Sequence, residues 1–217
     1  MRRCFWVAMT SALGASIFEV VLFKGLGLPD DLLAIGAPTP PLALTTLAVL
    51  LVGPIEELTK YIVLRANVYL SHDFNQIFDG IVYGITIALG FSLVENIGYF
   101  FELYTTEPTA VFVVSTLYRG LFTTLGHVTF TGILGYFVGK AKFSPNNKTG
   151  LIVQGILYAS LLHTGFDFLV IGTRYGNLLA IIFIVGSFAL FIRIWKRPDV
   201  RMVWRFTPTP SPENGAH

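Results

Sequence analysis

Six long apolar segments, joined by short polar connections, dominate this sequence and restrict what it can fold into. Each is close to the roughly 20 residues that a helix needs to cross the hydrocarbon core of a bilayer. A lone strand in lipid would leave its backbone groups unpaired, so segments of this length indicate helices. We predict spans at residues 5–23, 42–64, 77–101, 117–139, 151–171 and 177–194, and residues 111–117 either extend the fourth span or lie in the membrane interface.

The composition agrees with a membrane protein. Apolar residues make up 53% of the 217 residues and charged residues only 13%, whereas about 25% of a typical soluble domain is charged. A water-soluble chain of this length could not bury so much apolar surface. The expected fold is therefore all-α, a polytopic integral membrane protein with about six to seven transmembrane helices. We expect a single domain at residues 1–206 and a Pro-rich, disordered tail at residues 207–217.

Charge indicates orientation and excludes some partners. Lys and Arg precede the first segment and follow the second, fourth and sixth, whereas the alternate connections are acidic or nearly neutral. Because cytoplasmic loops are enriched in Lys and Arg, both termini are predicted to be cytoplasmic. A net charge of +2 is too small to indicate a nucleic-acid partner, and the lipid bilayer is the expected surrounding. The single cysteine, Cys4, excludes a disulfide framework and a Cys-based metal site.

The second segment carries two adjacent carboxylates inside the membrane. An ionisable group at the centre of a span costs about 2.5–3.5 kcal/mol on insertion scales, so Glu56 and Glu57 are candidate functional residues. Lys60 follows them by four and three residues and can pair with either. A packing ion pair would explain one glutamate and leave the other without a partner. Gly53 before them would allow another helix to approach closely.

The third segment places a carboxylate on a small-residue face. Glu95 is followed one turn later by Tyr99 and preceded on the same face by Ser92, Ala88 and Gly84. Small residues at every fourth position allow close helix packing in lipid, so this face is predicted to contact protein. The alternative is that Glu95 lies high enough to reach water at the outer interface.

Two histidines complete the set of buried polar residues. His127 lies on a polar, small-residue stripe of the fourth segment, and His163 and Asp167 share one face of the fifth. The carboxylate of Asp167 could orient the imidazole, or both could ligate a metal. Each feature alone is weak, because a buried histidine is often only a hydrogen-bonded packing residue. Their co-occurrence with three glutamates on other helices is a much stronger indication of a site.

Three other charged residues have simpler interpretations. Arg119 is expected to reach the outer interface as an anchor. Glu19 is expected to pair with Lys24 or to reach outer water, without a catalytic role. Asp79 is expected to cap the third helix.

The buried polar residues of the second to fifth segments resemble the motifs of the PrsW family of intramembrane endopeptidases. This family is more distantly related to the CAAX prenyl endopeptidases and bacteriocin-immunity proteins. The resemblance covers residues 53–167, with Val94 where the family usually has Phe. It implies a protease of the prokaryotic cell membrane that acts on a membrane-anchored protein such as an anti-sigma factor, the substrate of the name-giving member. The matching residues are Glu56-Glu57-x-x-Lys60, Glu95-x-x-x-Tyr99, His127 and His163-x-x-x-Asp167.

The residue types are suited to peptide hydrolysis, which needs an activated water and a stabilised oxyanion. In one version Glu56 or Glu57 deprotonates water and the two histidines hold water and oxyanion without a metal. In the other, His127, His163 and a carboxylate such as Asp167 bind Zn²⁺ and a glutamate is the base. We take the metal-free version as the expectation and keep zinc open. The candidate catalytic residues are Glu56, Glu57, Glu95, His127 and His163, with Lys60, Tyr99 and Asp167 in support.

Two other classes of membrane protein remain. A proton- or ion-coupled transporter also carries buried Glu, His and Asp residues, although no internal repeat is visible and the chain is short. A non-catalytic membrane scaffold would need the helices without this polar set. Geometry separates them, because a protease gathers these residues around one point and a transporter distributes them along a path.

Overall fold

The computed structural model describes residues 1–28, 42–172 and 176–200, which are almost entirely helical. The helices follow the apolar segments of the sequence. They are α1 (Arg2–Gly25), α2 (Leu42–Asn67), α3 (Ile77–Thr106), α4 (Thr109–Tyr118), a π-helical segment (Arg119–Thr123), α5 (Thr124–Phe143), α6 (Lys148–Gly172) and α7 (Gly176–Trp195). The prediction of an all-α polytopic membrane protein is confirmed. The sequence-based predictions for the tail at residues 207–217 lie outside the described residues.

The helices coincide with the six predicted spans, but one of them, α2, differs from the others in composition. Within the described residues, five helical stretches are long and apolar enough to cross a membrane. The helix α2 is not among the five, and it is the helix that carries Glu56, Glu57 and Lys60. The stretch Thr109–Phe143 counts as one span of 35 residues. Residues 111–117 therefore lie in a helix that continues without a break into the fourth predicted span.

The helices α3 and α5 form the centre of the bundle because glycines remove the side chains between them. A Cβ at Gly80 would collide with the carbonyl oxygen of Gly135, and a Cβ at Gly135 would collide with Gly80 in return. The predicted small-residue face of α3 is confirmed, since Gly84, Ala88 and Ser92 are all buried. Backbone approach of this kind provides the packing contacts that hold helices together in lipid.

Small residues also allow the helices α1 and α2 to pack closely against their neighbours. The buried residues of α1 are Cys4, Ala8, Ala12 and Ala15, which form one face packed on α3. The helix α2 meets α6 at Gly53, where an added Cβ would lie 2.6 Å from the Thr164 hydroxyl oxygen. This close approach, predicted from the glycine, brings the polar residues of α2 beside those of α6.

Local backbone features shape both ends of this framework. At the start of α3, the Asp79 carboxylate accepts hydrogen bonds of 2.8 Å from the backbone N–H groups of Asn75 and Gln76, which confirms its capping role. Between α4 and α5, the segment Arg119–Thr123 is π-helical. Such segments insert extra residue length into a helix and occur often at functional sites. The four-residue turn beyond α7 ends at buried Val200.

Candidate active site within the membrane

Polar side chains from α2, α3, α5 and α6 meet inside the bundle, and Glu57 is the most completely bonded of them. Its Oε1 accepts from Lys60 Nζ at 2.8 Å and contacts His163 Nδ1 at 3.1 Å. Its Oε2 accepts from the Thr131 hydroxyl at 2.9 Å. The Glu57 side chain has 0% exposure. Both oxygens are thus engaged, and the carboxylate ties three helices together.

Lys60 supplies the positive charge of the site. Its Nζ lies 3.1 Å from Glu56 Oε2, 2.8 Å from Glu57 Oε1 and 2.8 Å from His127 Nδ1. The ammonium also lies over the ring of Phe91 at 4.3 Å. A buried charge of this kind is tolerated only when several partners satisfy it. The expectation that Lys60 can pair with either glutamate is confirmed, and it pairs with both.

The contacts of His127 define its tautomer. An ammonium can only donate, so Nδ1 accepts from Lys60 and, in the neutral ring, the proton lies on Nε2. Nε2 lies 2.8 Å from Glu95 Oε2. His127 is therefore held between the Lys60 ammonium on one side and the Glu95 carboxylate on the other.

Glu95 is held by protein groups and does not depend on interfacial water. Its Oε1 accepts from Arg119 Nη2 at 2.6 Å. The Arg119 guanidinium lies over the Tyr99 ring, 3.4 Å from its centroid. The expectation that Arg119 is only an interface anchor is therefore wrong, because a carboxylate and an aromatic face hold its head within the bundle. Tyr99 supports the site through Arg119.

His163 has a carboxylate on each side of its ring. Its Nδ1–H donates to Glu57, which leaves Nε2 unprotonated in the neutral form. Nε2 lies 3.8 Å from Glu56 Oε2 and 3.5 Å from Asp167 Oδ2. Glu57 thus orients this imidazole, while Asp167 and Glu56 border the nitrogen that remains available. Glu56 Oε2 also lies 3.8 Å from His127 Nδ1, so it stands between the two histidines.

The structure gathers every predicted site residue into one connected cluster. The closest members are Glu56, Glu57, Lys60, His127 and His163, while Glu95, Tyr99 and Asp167 border it. This convergence is the arrangement expected of a protease and not of a transporter path.

Sequence reasoning missed two participants. Thr131 lies one turn after His127, a spacing that could have placed it in the site, whereas no local signal joins Arg119 to Glu95. Glu19 is half-buried, and one of its carboxylate oxygens has no hydrogen-bond partner among the described residues. Its pairing with Lys24 and its lack of a catalytic role stay predictions.

The donor set fits a divalent metal. Glu56, His127 and His163 each offer one ligand atom, and these atoms lie within 4.8 Å of one another. Two imidazoles and one carboxylate are ordinary zinc ligands. Both histidines also face a second carboxylate with their other nitrogen, as metal-bound histidines commonly do. Asp167, the carboxylate that the sequence offered for this role, is not part of the set.

One contact competes with a metal at this position. The Lys60 ammonium approaches both Glu56 and His127 Nδ1, and two cations cannot share these atoms without strong repulsion. A metal bound there requires Lys60 to retain its contact with Glu57 and to give up those with Glu56 and His127.

Comparison with known proteins agrees with the site. The family model described as PrsW family intramembrane metalloprotease matches residues 2–194. The chain belongs to the PrsW family. The resemblance inferred from the motifs is confirmed, and the chain is a member of a family of membrane-embedded proteases. No solved structure shows a significant match to the chain.

The curated PrsW proteins that match are moderately similar. The Protease PrsW of Shouchella clausii is 31% identical over 74% of this chain and 69% of its own length. That of Oceanobacillus iheyensis is 32% identical over 67% of this chain and 64% of its own length. That of Bacillus subtilis is 33% identical over 54% of this chain and 50% of its own length. The matched region thus spans between half and somewhat more than two thirds of these relatives.

Proposed function

We propose that this PrsW-family protein hydrolyses peptide bonds of membrane-anchored proteins within the bilayer, with Glu56 as the carboxylate that acts on water. The observation that carries the proposal is the contrast between the two adjacent glutamates. Both oxygens of Glu57 are engaged by Lys60, His163 and Thr131. Glu56 is bonded through one oxygen and stands between the two histidines.

Each residue then has a role that follows from its contacts. Glu57 is a positioning residue, because it fixes the ring of His163 and the ammonium of Lys60. Glu56 accepts a proton from water and returns it to the leaving amine, as general acid–base catalysis requires. His127 and His163, on either side of Glu56, are placed to hold the water and the developing oxyanion.

We further propose a second, metal-dependent version of the chemistry, in which Glu56, His127 and His163 bind one Zn²⁺ and Glu56 is a metal ligand instead of the base. The donor set and the family description support this assignment. Bound zinc would act as a Lewis acid and lower the pKa of a coordinated water. The test is metal content of the purified protein, measured by mass spectrometry. About one zinc per chain is expected, with loss in His163→Ala and retention in Glu107→Gln; a protein that cleaves substrate without any metal would contradict the proposal.

The catalytic proposal is tested with a single-span reporter that carries a different tag at each end, co-expressed in a bacterial host. Glu56→Gln keeps the shape of the side chain but cannot accept a proton, so cleavage should fall by about 10²–10⁴-fold. Glu107→Gln, beyond the end of α3, is the matched control and should cleave normally. Near wild-type cleavage by Glu56→Gln at equal protein level would overturn the role of Glu56.

The substrate class and the orientation complete the proposal. The family resemblance supports a membrane-anchored anti-sigma factor as substrate, so spans of anti-sigma factors should be cleaved in preference to unrelated spans in a reporter panel. The Lys and Arg distribution supports cytoplasmic termini in a bacterial cell membrane. Reporter fusions after Gly139 and after Arg205 should both report cytoplasm, and an external signal at either position would contradict this orientation.

A further inference from the structure

The guanidinium of Arg119 lies one side chain away from the reacting groups. Its Nη2 donates to Glu95 Oε1 at 2.6 Å, and the other oxygen of the same carboxylate lies 2.8 Å from His127 Nε2. The opposite nitrogen of this imidazole, Nδ1, lies 3.8 Å from Glu56 Oε2. We call Arg119, Glu95 and His127 the Arg119 row. It runs from the π-helical segment through α3 to α5 and ends beside Glu56.

Two groups of α3 hold the head of Arg119 in one position and one plane. Glu95 and Tyr99 lie one turn apart on this helix, and the guanidinium lies 3.4 Å from the centroid of the Tyr99 ring. A guanidinium is planar, so it can stack on an aromatic face while its N–H groups donate in its own plane. The head of Arg119 is therefore an ordered group, and its contact with Glu95 has a defined direction.

We propose that Arg119 is a positioning residue of the active site, which fixes Glu95 so that Glu95 in turn fixes the ring of His127. This inference rests on the proposed proteolytic function and adds a residue to its machinery. In both versions of the chemistry His127 needs one ring orientation. The ring either holds the water and the oxyanion or binds zinc through the nitrogen that faces Glu56.

Glu95 needs such support because it is not enclosed. Its side chain retains 19% exposure, whereas that of His127 retains 1%. A carboxylate with access to water gains solvation when it turns outward, and Glu95 would then leave Nε2 of His127 without a neighbouring acceptor. Hydrogen bonds between Arg and a carboxylate are short and roughly twice as strong as neutral ones. The bond from Arg119 therefore opposes this outward rotation.

The Arg119 row is also the side of His127 that a metal leaves intact. Lys60 Nζ lies 2.8 Å from Nδ1, on the side of Glu56, and a metal bound there displaces it. Glu95 at Nε2 then remains to orient the imidazole. Carboxylates in this position are worth about 10–100-fold in metal affinity or activity, and the position of this one depends on Arg119.

Cleavage kinetics test the role of Arg119. The wild type and each variant are reconstituted in lipid vesicles with the tagged single-span reporter at a series of concentrations. Arg119→Gln should lower kcat roughly tenfold, the low end of the range for such supporting groups, with KM nearly unchanged. Arg193→Gln, an exposed arginine near the end of α7, is the control and should cleave normally. A raised KM with unchanged kcat would mean that Arg119 contacts substrate, and the inference would be wrong.

A double-variant cycle tests whether Arg119 acts through Glu95. If it does, Arg119→Gln should change kcat by less than about twofold once Glu95→Gln is present, since coupled residues do not add. A further tenfold loss in the double variant would show independent action and overturn the inference. Arg119→Lys keeps the charge without the planar fork, and it replaces Arg119→Gln in the same cycle if that variant does not accumulate. Its smaller loss of kcat should likewise disappear beside Glu95→Gln.

Nuclear magnetic resonance reads the position of His127 without catalysis. The protein is labelled with ¹⁵N-histidine, and the Nε2 signal of His127 is identified by its loss in His127→Gln. Because Glu95 lies beside this nitrogen, Glu95→Gln should shift the signal. Arg119→Gln should move it most of the way to the same position, and Arg193→Gln should leave it at the wild-type position. A signal that Arg119→Gln does not move would contradict the positioning role.

The two readouts separate this inference from the proposed function. If the wild type cleaves the reporter while Arg119→Gln changes neither kcat nor the His127 signal, the positioning role fails and the protease stands. If the His127 signal moves in Arg119→Gln while the wild type cleaves no reporter, the positioning role stands and the catalytic proposal fails.

Discussion

Two regions on either side of the site differ sharply in how they are packed. The inner contact between α3 and α5 is closed by glycines at positions where any Cβ would strike backbone. The outer region, made of α4 and the π-helical segment, has a single buried residue, Thr123. The polar cluster lies between a rigid wall and a loosely packed one. A membrane protease needs both, because reacting groups must be fixed while a substrate segment must enter from the lipid.

The largest expected effect is the loss of stability when the positive charge of Lys60 is removed. Lys60→Met leaves Glu56 and Glu57 without their cation, and breaking a buried ion pair costs about 3–5 kcal/mol. Arg119→Met on the loosely packed side should cost less, because Arg119 and Glu95 retain 16% and 19% side-chain exposure. Unfolding in detergent, followed by circular dichroism, measures both. A larger loss in Arg119→Met would reverse the comparison.

The double variant Lys60→Met/Glu57→Gln refines this test. Removal of a carboxylate together with its cation lowers the number of uncompensated charges, so stability should recover partly relative to Lys60→Met alone. Zinc content gives a second measurement, since Lys60 competes with a metal for His127. Lys60→Met should therefore retain zinc even though it is less stable.

The contrast between Lys60 and Arg119 also marks what the sequence could predict. Lys60 pairs at spacings of three and four along one helix, and such contacts follow from helical geometry alone. Arg119 and Glu95 lie 24 positions apart, and Thr131 and Glu57 lie 74 apart. Their contacts depend on how each helix is rotated against its neighbours, which hydropathy does not encode.

The fold was predictable for a related reason. The number of long helices and the small-residue faces follow from composition and periodicity and agree with the described structure, although α2 is not among the five helices long and apolar enough to cross a membrane. The π-helical segment was not predictable, because it shifts the register of Arg119–Thr123 away from the 3.6-residue period on which face assignments rest. Arg119 was expected at the interface because it lies near the end of its span, whereas its guanidinium contacts Glu95.

A smaller effect is expected from one added methyl group. Gly135→Ala places a Cβ against the Gly80 carbonyl, and such overpacking typically costs about 1–3 kcal/mol. Gly98→Ala is the matched control, because nothing lies within 4 Å of its Cβ position. The control should be neutral or slightly stabilising, since alanine favours helix. Equal thermal stability of the two variants would show that the inner contact is not rigid.

Truncation of one valine in each region compares how much side-chain packing contributes to stability there. Val138 on α5 has 0% exposure, whereas Val114 on α4 has 66% exposure. In lipid, truncation loses packing and not hydrophobic transfer, so Val138→Ala should cost on the order of 1 kcal/mol and Val114→Ala nothing measurable. Denaturant titration of both variants in the same detergent gives the difference, and a comparable loss at Val114 would mean that α4 is packed as tightly as α5.

The smallest expected effect concerns the turn after α7. It tests whether this turn is held firmly against α5. There Asp199 accepts hydrogen bonds from Arg197 at 3.0 Å and from the Tyr136 hydroxyl of α5 at 3.2 Å. Partial burial alone would raise the pKa of Asp199, but these hydrogen bonds outweigh it and hold the pKa below its ordinary value. A carboxyl group with a lowered folded-state pKa contributes stability above its unfolded pKa, about 3.9, and loses that contribution as pH falls through the folded value.

The turn should therefore stay docked at neutral pH and loosen only below about pH 4, with a contribution of at most about 1 kcal/mol because the pair is largely exposed. Hydrogen exchange at the Val200 amide, which donates to the Arg197 carbonyl, reports the docking once it is corrected for intrinsic exchange. Asp199→Asn should remove the pH dependence, and Tyr136→Phe should only reduce it. Protection that stays constant through pH 4 in the wild type would mean that the buried Val200 side chain, and not the Asp199 carboxylate, holds the turn against α5.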